Sequence, residues 1–318
     1  MRVLFAGTPS FAALHLSGLL ALKVNIVGVI TQPDKAGKRG KKTIPSEVKK
    51  IALANELPII QPDKLTSADL APFSPDLLIV VAYGQILKQT VLDLPTYGCL
   101  NVHGSLLPRW RGAAPIQRAV LEGDVKTGIC IIQMDRGLDT GDILAERTVA
   151  LQKTTSSKDL IASLPALGIE ALNDVMRQIE SKRLSPIKQT EEGMTYAHKI
   201  NKSDALCLWG KTAKEIDRMI RAFNPDPVCF SYLGKLRVKI YTAHIHSEEQ
   251  NEIGSNCPGT ILEVSKKGIL VACGLGTILL QRVQLPLGKG SILSGSDVLN
   301  ARSDIIFPGA SFSNSPES

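Results

Sequence analysis

No stretch of the 318 residues approaches the roughly 20 consecutive apolar positions that a helix needs to cross a bilayer, so a membrane-spanning reading fails. Met1 to Gly7 forms only a brief apolar strand before a turn, too short for the core of a secretory signal, and the protein is expected in the cytoplasm. Neither Cys-x-x-Cys nor Cys-x-x-His spacing occurs among Cys99, Cys130, Cys207, Cys229, Cys257 and Cys273; free thiols and no metal are expected. His244 and His246 are the only closely spaced histidines, and with no cysteine near them they read as an exposed strand or loop rather than a zinc site. The dinucleotide fingerprint Gly-x-Gly-x-x-Gly is missing too. Gly7-Thr8-Pro9 follows the first strand, but Pro9 removes an amide that would face a phosphate, which argues against hydride transfer. The Gly-x-Ser-x-Gly elbow is absent, and Ser105 stands two residues from His103, so a hydrolytic triad of Ser105, His103 and Asp139 finds little support. No internal repeat is present.

What is there begins with length. A chain this long exceeds the roughly 250–300 residues that one hydrophobic core serves, and two domains are expected. Apolar content of 44% and charged content of 21% are those of a globular protein. Arg2 to Ala6 reads as a buried strand, with Thr8 as cap and Pro9 in the first turn of a helix reaching about Ala21. A strand at Val24 to Ile30, a helix near Pro45 to Asn55, a short strand at Leu57 to Ile60 and an apolar run from Asp76 to Tyr83 repeat the order. Continuous apolar strands imply burial on both faces, hence a Rossmann-like, mostly parallel α/β sheet with helices on each side and ligands beyond the carboxyl ends of its strands. A strand at Gly128 to Met134 leads into Gly137-Leu138-Asp139-Thr140-Gly141-Asp142, and a helical region at 156–181 is expected to break at Pro165 and Gly168. After a short amphipathic helix at Lys211 to Phe223 the texture changes. β-prone stretches at Val228 to Tyr232, Leu236 to Thr242, Thr260 to Val264, Gly268 to Cys273 and Thr277 to Arg282 predict a small C-terminal β-barrel of the oligonucleotide-binding type.

Two features carry chemistry. Asn101 and His103 sit two residues apart in an apolar strand, so they point to the same side, and Asp139 follows in its loop. An amide can bind a carbonyl oxygen as it becomes negative, an imidazole can donate or shuttle a proton, and a carboxylate can orient that imidazole or accept an amine's proton. The trio reads as an acyl-transfer site that needs no side-chain nucleophile, although Asn101 and His103 alone equally fit a hydrogen-bonded pair at a sheet end. The second feature is charge: the net charge is +7 with a pI near 9.1. Residues 35–50 hold Lys35, Lys38, Arg39, Lys41, Lys42, Lys49 and Lys50 against one acid, Glu47. Such a segment either neutralises phosphates or is a solvated excursion, and composition leaves both open. Between the two, Arg109 and Arg111 are either solvated, or Arg111 is held by carboxylates while Trp110 packs.

The run from Gly98 to Gln117, which includes Asn101-Val102-His103-Gly104-Ser105-Leu106-Leu107-Pro108-Arg109-Trp110-Arg111-Gly112, closely resembles the methionyl-tRNA formyltransferase family. Asp135 to Asp142, Thr31-Gln32-Pro33-Asp34, Gly40-Lys41-Lys42, Val81-Ala82-Tyr83-Gly84, Thr195-Tyr196-Ala197 with Lys199, and Arg221-Ala222-Phe223-Asn224-Pro225 extend the likeness over most of the chain. The resemblance implies that 10-formyltetrahydrofolate, with no metal, donates its formyl group to the α-amine of methionyl initiator tRNA, giving formylmethionyl-tRNA for translation initiation. It implies direct attack through a tetrahedral intermediate, with Asn101 and His103 on the formyl oxygen and Asp139 setting the histidine's protonation state. Ser105, Leu106, Leu107, Pro108, Tyr83, Gly84, Ile86 and Asp142 would surround the folate. Lys35, Lys38, Arg39, Lys41, Lys42, Lys199, Lys202 and Lys289 would meet tRNA, with Arg39 aligning with the family's most important arginine.

Residues 1–188 are expected to form the catalytic domain, 189–205 a linker, 206–310 a tRNA-binding barrel and 311–318 a disordered tail, and the chain is expected to be a monomer. Leu208 before Trp209, Gly290 in Pro286-Leu287-Gly288-Lys289-Gly290, and Pro165 depart from the family pattern. The rival readings are a small-molecule formyltransferase, acting on an amino sugar or glycinamide ribonucleotide, and a non-catalytic RNA-binding protein. The first is disfavoured by the missing phosphate loop after the first strand, the second by the intact trio.

Overall fold

Every residue of the strands Val3–Gly7 and Leu77–Val81 is buried, so the sheet they share is covered on both faces. In the computed structural model, which describes residues 1–36, 43–249, 257–288 and 290–317, the chain separates into two units. Unit 1 is Met1–Pro115, Lys126–Ala150 and Asp159–His198; unit 2 is Ile116–Val125, Leu151–Lys158 and Lys199–Ser318.

Unit 1 is built on β1 (Val3–Gly7), β2 (Ile26–Ile30), β3 (Ile59–Ile60), β4 (Leu77–Val81), β5 (Cys99–His103), β6 (Lys126–Gln133) and β7 (Ile143–Ala150), in the spatial order β7-β6-β5-β4-β1-β2-β3. The first five run parallel, while β6 and β7 are antiparallel to their neighbours. One face buries Leu4, Ala6, Leu78 and Val80 with Leu70, Val91 and Leu92. The longer helices before residue 181 are α1 (Ser10–Ala21), α2 (Glu47–Ala54), α3 (Pro115–Glu122), which apart from Pro115 belongs to unit 2, and α4 (Ser157–Glu180). The hydroxyl of Ser46 caps α2 by accepting from the Lys49 amide at 3.0 Å.

Two local expectations are corrected here. Thr8 does not cap α1: Pro9 is the cap residue, and the Thr8 hydroxyl donates to the Tyr83 carbonyl at 3.1 Å. Its oxygen also accepts from the Gln32 amide at 3.4 Å, tying together three strand ends. The helix at 156–181 does not break: α4 runs through Pro165 and Gly168. Proline costs an interior helix about 3 kcal/mol, and the burial of Leu160, Leu164, Leu172 and Val175 along one face outweighs it. Gly168 has its own reason. An added Cβ there would lie 2.2 Å from Nε2 of His15, so only glycine lets α4 pass this fully buried imidazole. Nδ1 of His15 donates to the Phe11 carbonyl, 2.8 Å away, and burial lowers the pKa of the imidazole from 6.5 to about 4.

Unit 2 contains α5 (Ala213–Ala222), whose N-terminus is closed by reciprocal bonds between Thr212 and Glu215. Its sheet comprises β8 (Cys229–Leu233), β9 (Leu236–Ser247), β10 (Ile261–Ser265), β11 (Gly268–Ala272), β12 (Thr277–Gln284), β13 (Ile292–Leu293) and β14 (Phe312–Ser313); α6 (Gly295–Ala301) precedes β14. The order is β10-β11-β12-β9-β8-β14 with β13 on β12, all antiparallel. A Thr260–Ser311 bridge and the bond from the Phe312 amide to the Gly259 carbonyl (2.9 Å) bring the two edges together, so the sheet curls into a barrel. Phe312 stacks on Trp209 at 5.2 Å between centroids, while the indole N–H donates to Ser231 at 2.9 Å. The stretch expected as a disordered tail thus supplies a strand, because one buried phenyl ring in a serine-rich sequence closes the barrel. Arg218 and Arg221 donate to the carbonyls of Glu122 (2.9 Å) and Thr155 (2.7 Å), fixing the two short excursions that belong to unit 2. All six cysteines are free thiols, and only Cys257 is exposed.

Two outcomes follow from the α1–α4 contact. Gly168→Ala is expected to lower stability by about 1–3 kcal/mol through overpacking, read from chemical denaturation. Because the folded pKa of His15 is depressed, the unfolded chain binds more protons between about pH 6.5 and 4. Stability is therefore full above 6.5 and lost as pH falls through that window, and His15→Leu should flatten the slope of unfolding free energy there.

Candidate active site

β5 is where the sheet changes sense, parallel to β4 and antiparallel to β6. The register places Val80, Asn101 and Ile132 in one row across these three strands, and this row floors a cleft of about 250 Å³. Tyr83, Gly84, Gln85, Ile86 and Leu87 form one wall; Met134 to Asp139 form the other. Ile86 is 94% exposed at the rim. The loop bearing Asp139 is the connection of the β6–β7 hairpin. It therefore does not extend a parallel strand past its carboxyl end, as expected, because β6 runs in the opposite direction and its loop folds back over Asn101.

The three polar side chains converge. Asn101 donates its amide hydrogen to Asp139 Oδ1 at 3.0 Å, and the Gly112 backbone N–H donates to Asp139 Oδ2 at 2.8 Å. Nδ1 of His103 lies 3.5 Å from the same Oδ2. Its Nε2 lies 2.8 Å from the Trp110 carbonyl, and since a carbonyl only accepts, Nε2 carries the hydrogen. Nδ1 is left as the nitrogen able to take or give a proton, facing the carboxylate in a pocket where the imidazole is 4% exposed. Asn101 keeps a second amide hydrogen, and its own residue lines the cleft.

Backbone strain marks the residues that aim these groups. Ala82, Trp110 and Asp139 adopt φ of 45°, 67° and 54°, a region that costs a non-glycine residue roughly 1–2 kcal/mol. Trp110 thereby turns its carbonyl onto His103, and Asp139 its carboxylate onto Asn101. Gly112, at φ 118°, could carry no side chain, since a Cβ would lie 2.9 Å from the Ala197 carbonyl. That proximity reflects a two-residue parallel ladder between Arg111–Gly112 and Tyr196–Ala197. The stretch 189–198, expected within the linker, belongs to unit 1.

The other anticipated residues divide. Tyr83, Gly84 and Ile86 line the cleft; Ser105, Leu106, Leu107, Pro108 and Asp142 do not. Ser105 is fully buried and donates to the Arg109 carbonyl at 2.6 Å, and Leu107 packs with Cys130 and Ile132. Asp142 uses its carbonyl to accept from the Gln133 amide at 2.9 Å. These residues shape the turn behind the trio. Among the described residues no carboxylate holds Arg111: its guanidinium is buried and donates to the amide oxygen of Gln189 at 3.0 and 2.7 Å. Lys35 is exposed in a short pairing with Ile44, and Lys199 and Lys202 are exposed in unit 2. Lys38, Arg39, Lys41, Lys42 and Lys289 lie outside the described residues. The base of the basic segment is pinned, with Thr31 and Ser46 hydroxyls 2.7 Å apart. Lys49 donates to Asp34 at 2.7 Å and holds that carboxyl below the usual carboxylate range. Among the described residues no His, Cys, Asp or Glu cluster suits a metal ion.

The Tyr83 to Leu87 segment was anticipated around the folate as a whole, which takes in Gln85 and Leu87; sequence reasoning missed Met134, Arg136 and Leu138 on the opposite wall, and Gly112 and Gln189 behind the cleft. The wall residues follow strand ends and were within reach of a topology argument. A backbone N–H and a lone linker glutamine leave no pattern.

Comparison with known proteins gives a consistent picture. Residues 1–176 match the formyl transferase family profile and residues 199–303 match the formyl transferase C-terminal domain. A methionyl-tRNA formyltransferase from Pseudoalteromonas translucida is 45% identical over 313 residues, 97% of this chain and 96% of its own. HypX from Aquifex aeolicus, solved in complex with tetrahydrofolic acid, shares the fold at a TM-score of 0.67 and 18% identity, covering 98% of this chain and 50% of that one. A methionyl-tRNA formyltransferase from Clostridium thermocellum gives 0.56 at 20% identity, covering 77% of this chain and 93% of that one. Profiles matched across both units, a relative alike from end to end, and a carboxylate and an amide lining one cleft with an imidazole buried behind them lead to a single assignment: the chain belongs to the methionyl-tRNA formyltransferase family.

Proposed function

We propose that this chain transfers the formyl group of 10-formyltetrahydrofolate to the α-amine of methionyl initiator tRNA. The observation that carries the reading is the convergence of Asn101, His103 and Asp139, the amide and the carboxylate lining a cleft able to admit an acyl donor and the imidazole buried behind the carboxylate. The folate supplies a one-carbon acyl unit on a nitrogen leaving group. The apolar side chains of Val80 and Ile132 on the floor and Met134 on one wall, with the backbone-rich Tyr83–Leu87 wall, suit the ring end of such a donor. Asn101 offers its second amide hydrogen to the carbonyl oxygen as that oxygen gains charge in direct attack by the amine. Nδ1 of His103, with Asp139 beside it, takes the proton the amine sheds and returns it to the departing nitrogen. Ser105 to Pro108 act by shaping the turn that presents the Trp110 carbonyl to His103.

The acceptor is read by charge and by cost of opening. The basic segment with Lys35, Lys38, Arg39, Lys41 and Lys42 meets the acceptor end, and Lys199, Lys202 and Lys289 add phosphate contacts from the barrel side of the chain. On this reading residues 1–188 carry the chemistry, and 206–310 hold RNA. The chain works in the cytoplasm as a monomer, and one copy contains all three side chains. No described helix is long and apolar enough to cross a membrane.

Asp139→Ala should reduce turnover by about 10²–10⁴-fold in a formyl-transfer assay while the melting temperature stays near that of the parent; ordinary turnover would remove Asp139 from the chemistry. Arg39→Ala should raise KM for methionyl-tRNA far more than for the folate, and the parent's tRNA affinity should fall steeply between 50 and 200 mM salt. Transfer to glycinamide ribonucleotide or an amino sugar, with none to methionyl-tRNA, would overturn the acceptor assignment.

A further inference from the structure

The Asp139 loop is held from behind by a side chain that does not line the cleft. Gln189 donates from Nε2 to the carbonyls of Asp139 at 2.8 Å and Gly141 at 2.7 Å. Its Oε1 accepts from Nε and Nη2 of Arg111 at 3.0 and 2.7 Å. Two hydrogens and two acceptor sites are all an amide has, so this side chain is saturated. Its orientation is unambiguous, because a guanidinium only donates and a carbonyl only accepts.

Arg111 is 6% exposed and has no carboxylate partner among the described residues; its third contact is Nη1 to Met194 Sδ at 3.0 Å. A buried guanidinium needs compensation, and here an amide dipole provides it in place of an anion. The choice has a consequence one step further on. The Arg111 guanidinium against Oε1 polarises the amide and strengthens its two N–H donors toward the loop. The residue after Arg111 is Gly112, whose backbone N–H holds the Asp139 carboxylate itself. Arg111–Gly112 is in turn fixed by the Arg111 N–H to Thr195 O bond and the Ala113 N–H to Ala197 O bond, both 2.9 Å. One frame thus fixes Asp139 at backbone and side chain.

We propose that Gln189 is a positioning residue for Asp139: by relaying the buried Arg111 charge into two donors on the hairpin loop, it sets where the carboxylate stands relative to Asn101 and His103. The inference rests on the reading of Asp139 as the carboxylate that works with His103. A carboxylate at position 189 separates positioning from mere stability. Gln189→Glu keeps an acceptor for Arg111 and adds an ion pair, but removes both donors and sets a negative oxygen against two carbonyls.

Three measurements on the full-length chain test this: kcat and folate KM, melting temperature, and the side-chain ¹⁵N resonances of His103. For Gln189→Glu, kcat is expected to fall on the order of tenfold to a hundredfold, the scale of a small misplacement of a catalytic group. Folate KM should change less than about twofold, with the melting temperature kept and the His103 resonances moved. In an Asp139→Ala background the same change should cost little further turnover, because both act through one group. Parent-like kcat with unmoved His103 resonances would overturn the proposal. If the glutamate variant does not fold, Gln189→Asn decides: a partial kcat loss with an intact fold supports the proposal, and parent-like kcat refutes it. The His103 resonances need no formyl transfer, so they judge the placement of Asp139 even if the acceptor or donor assignment fails.

Discussion

A carboxylate cannot be half-buried between two sheet strands and a turn unless donors meet it, and the Asp139 carboxylate is met by one side-chain amide and one backbone N–H. Much of unit 1 around the cleft can be understood from that requirement. The hairpin β6–β7 runs against the parallel strands so that its loop returns over β5. Trp110 and Asp139 occupy left-handed backbone because the groups they carry have to face inward at sharp turns. Gly112 has no side chain because its amide has to approach while Ala197 passes close behind it.

Unit 2 obeys a different constraint. An antiparallel sheet with open edges invites pairing with other chains, and this one curls until its first and last strands meet. The meeting is stabilised by Phe312 on Trp209 and by the chain of bonds from the indole N–H to Ser231 and on to the Ser313 carbonyl at 2.8 Å. Trp209 thus anchors the seam from inside, which accounts for its burial next to an exposed Leu208.

The sequence was most legible where periodicity is strong. The apolar runs at Val3–Gly7 and Leu77–Val81 and the alternating stretches from Cys229 onward lie within a few residues of where they were anticipated, because each buries a face that no other structure would cover. The Asn101 and His103 pair was visible for the same reason, as polar residues at i and i+2 inside such a run. Strand direction was not visible: an apolar strand reads the same forwards and backwards, so the antiparallel turn at β6 had to come from tertiary structure. Pro165 misled because local propensity was weighed without knowing how much of α4 is buried. Phe312 was overlooked because a single aromatic residue among serines has no period. The sequence leaves Arg111 open between solvent and carboxylates, and among the described residues it meets neither; its partner is Gln189, an amide that could be placed only once the chain after α4 was seen to return to the site.

Ile86 stands with almost its whole side chain in water at the rim of a cleft whose apolar lining includes Val80, Ile132 and Met134. Covering one such aliphatic side chain is worth about 1.5–3 kcal/mol, and the gain is accompanied by a decrease in heat capacity. Occupation of the cleft is therefore temperature-sensitive by construction: its enthalpy becomes more favourable on warming while its hydration entropy becomes less so, and titration calorimetry at several temperatures would register the apolar rim as a negative slope.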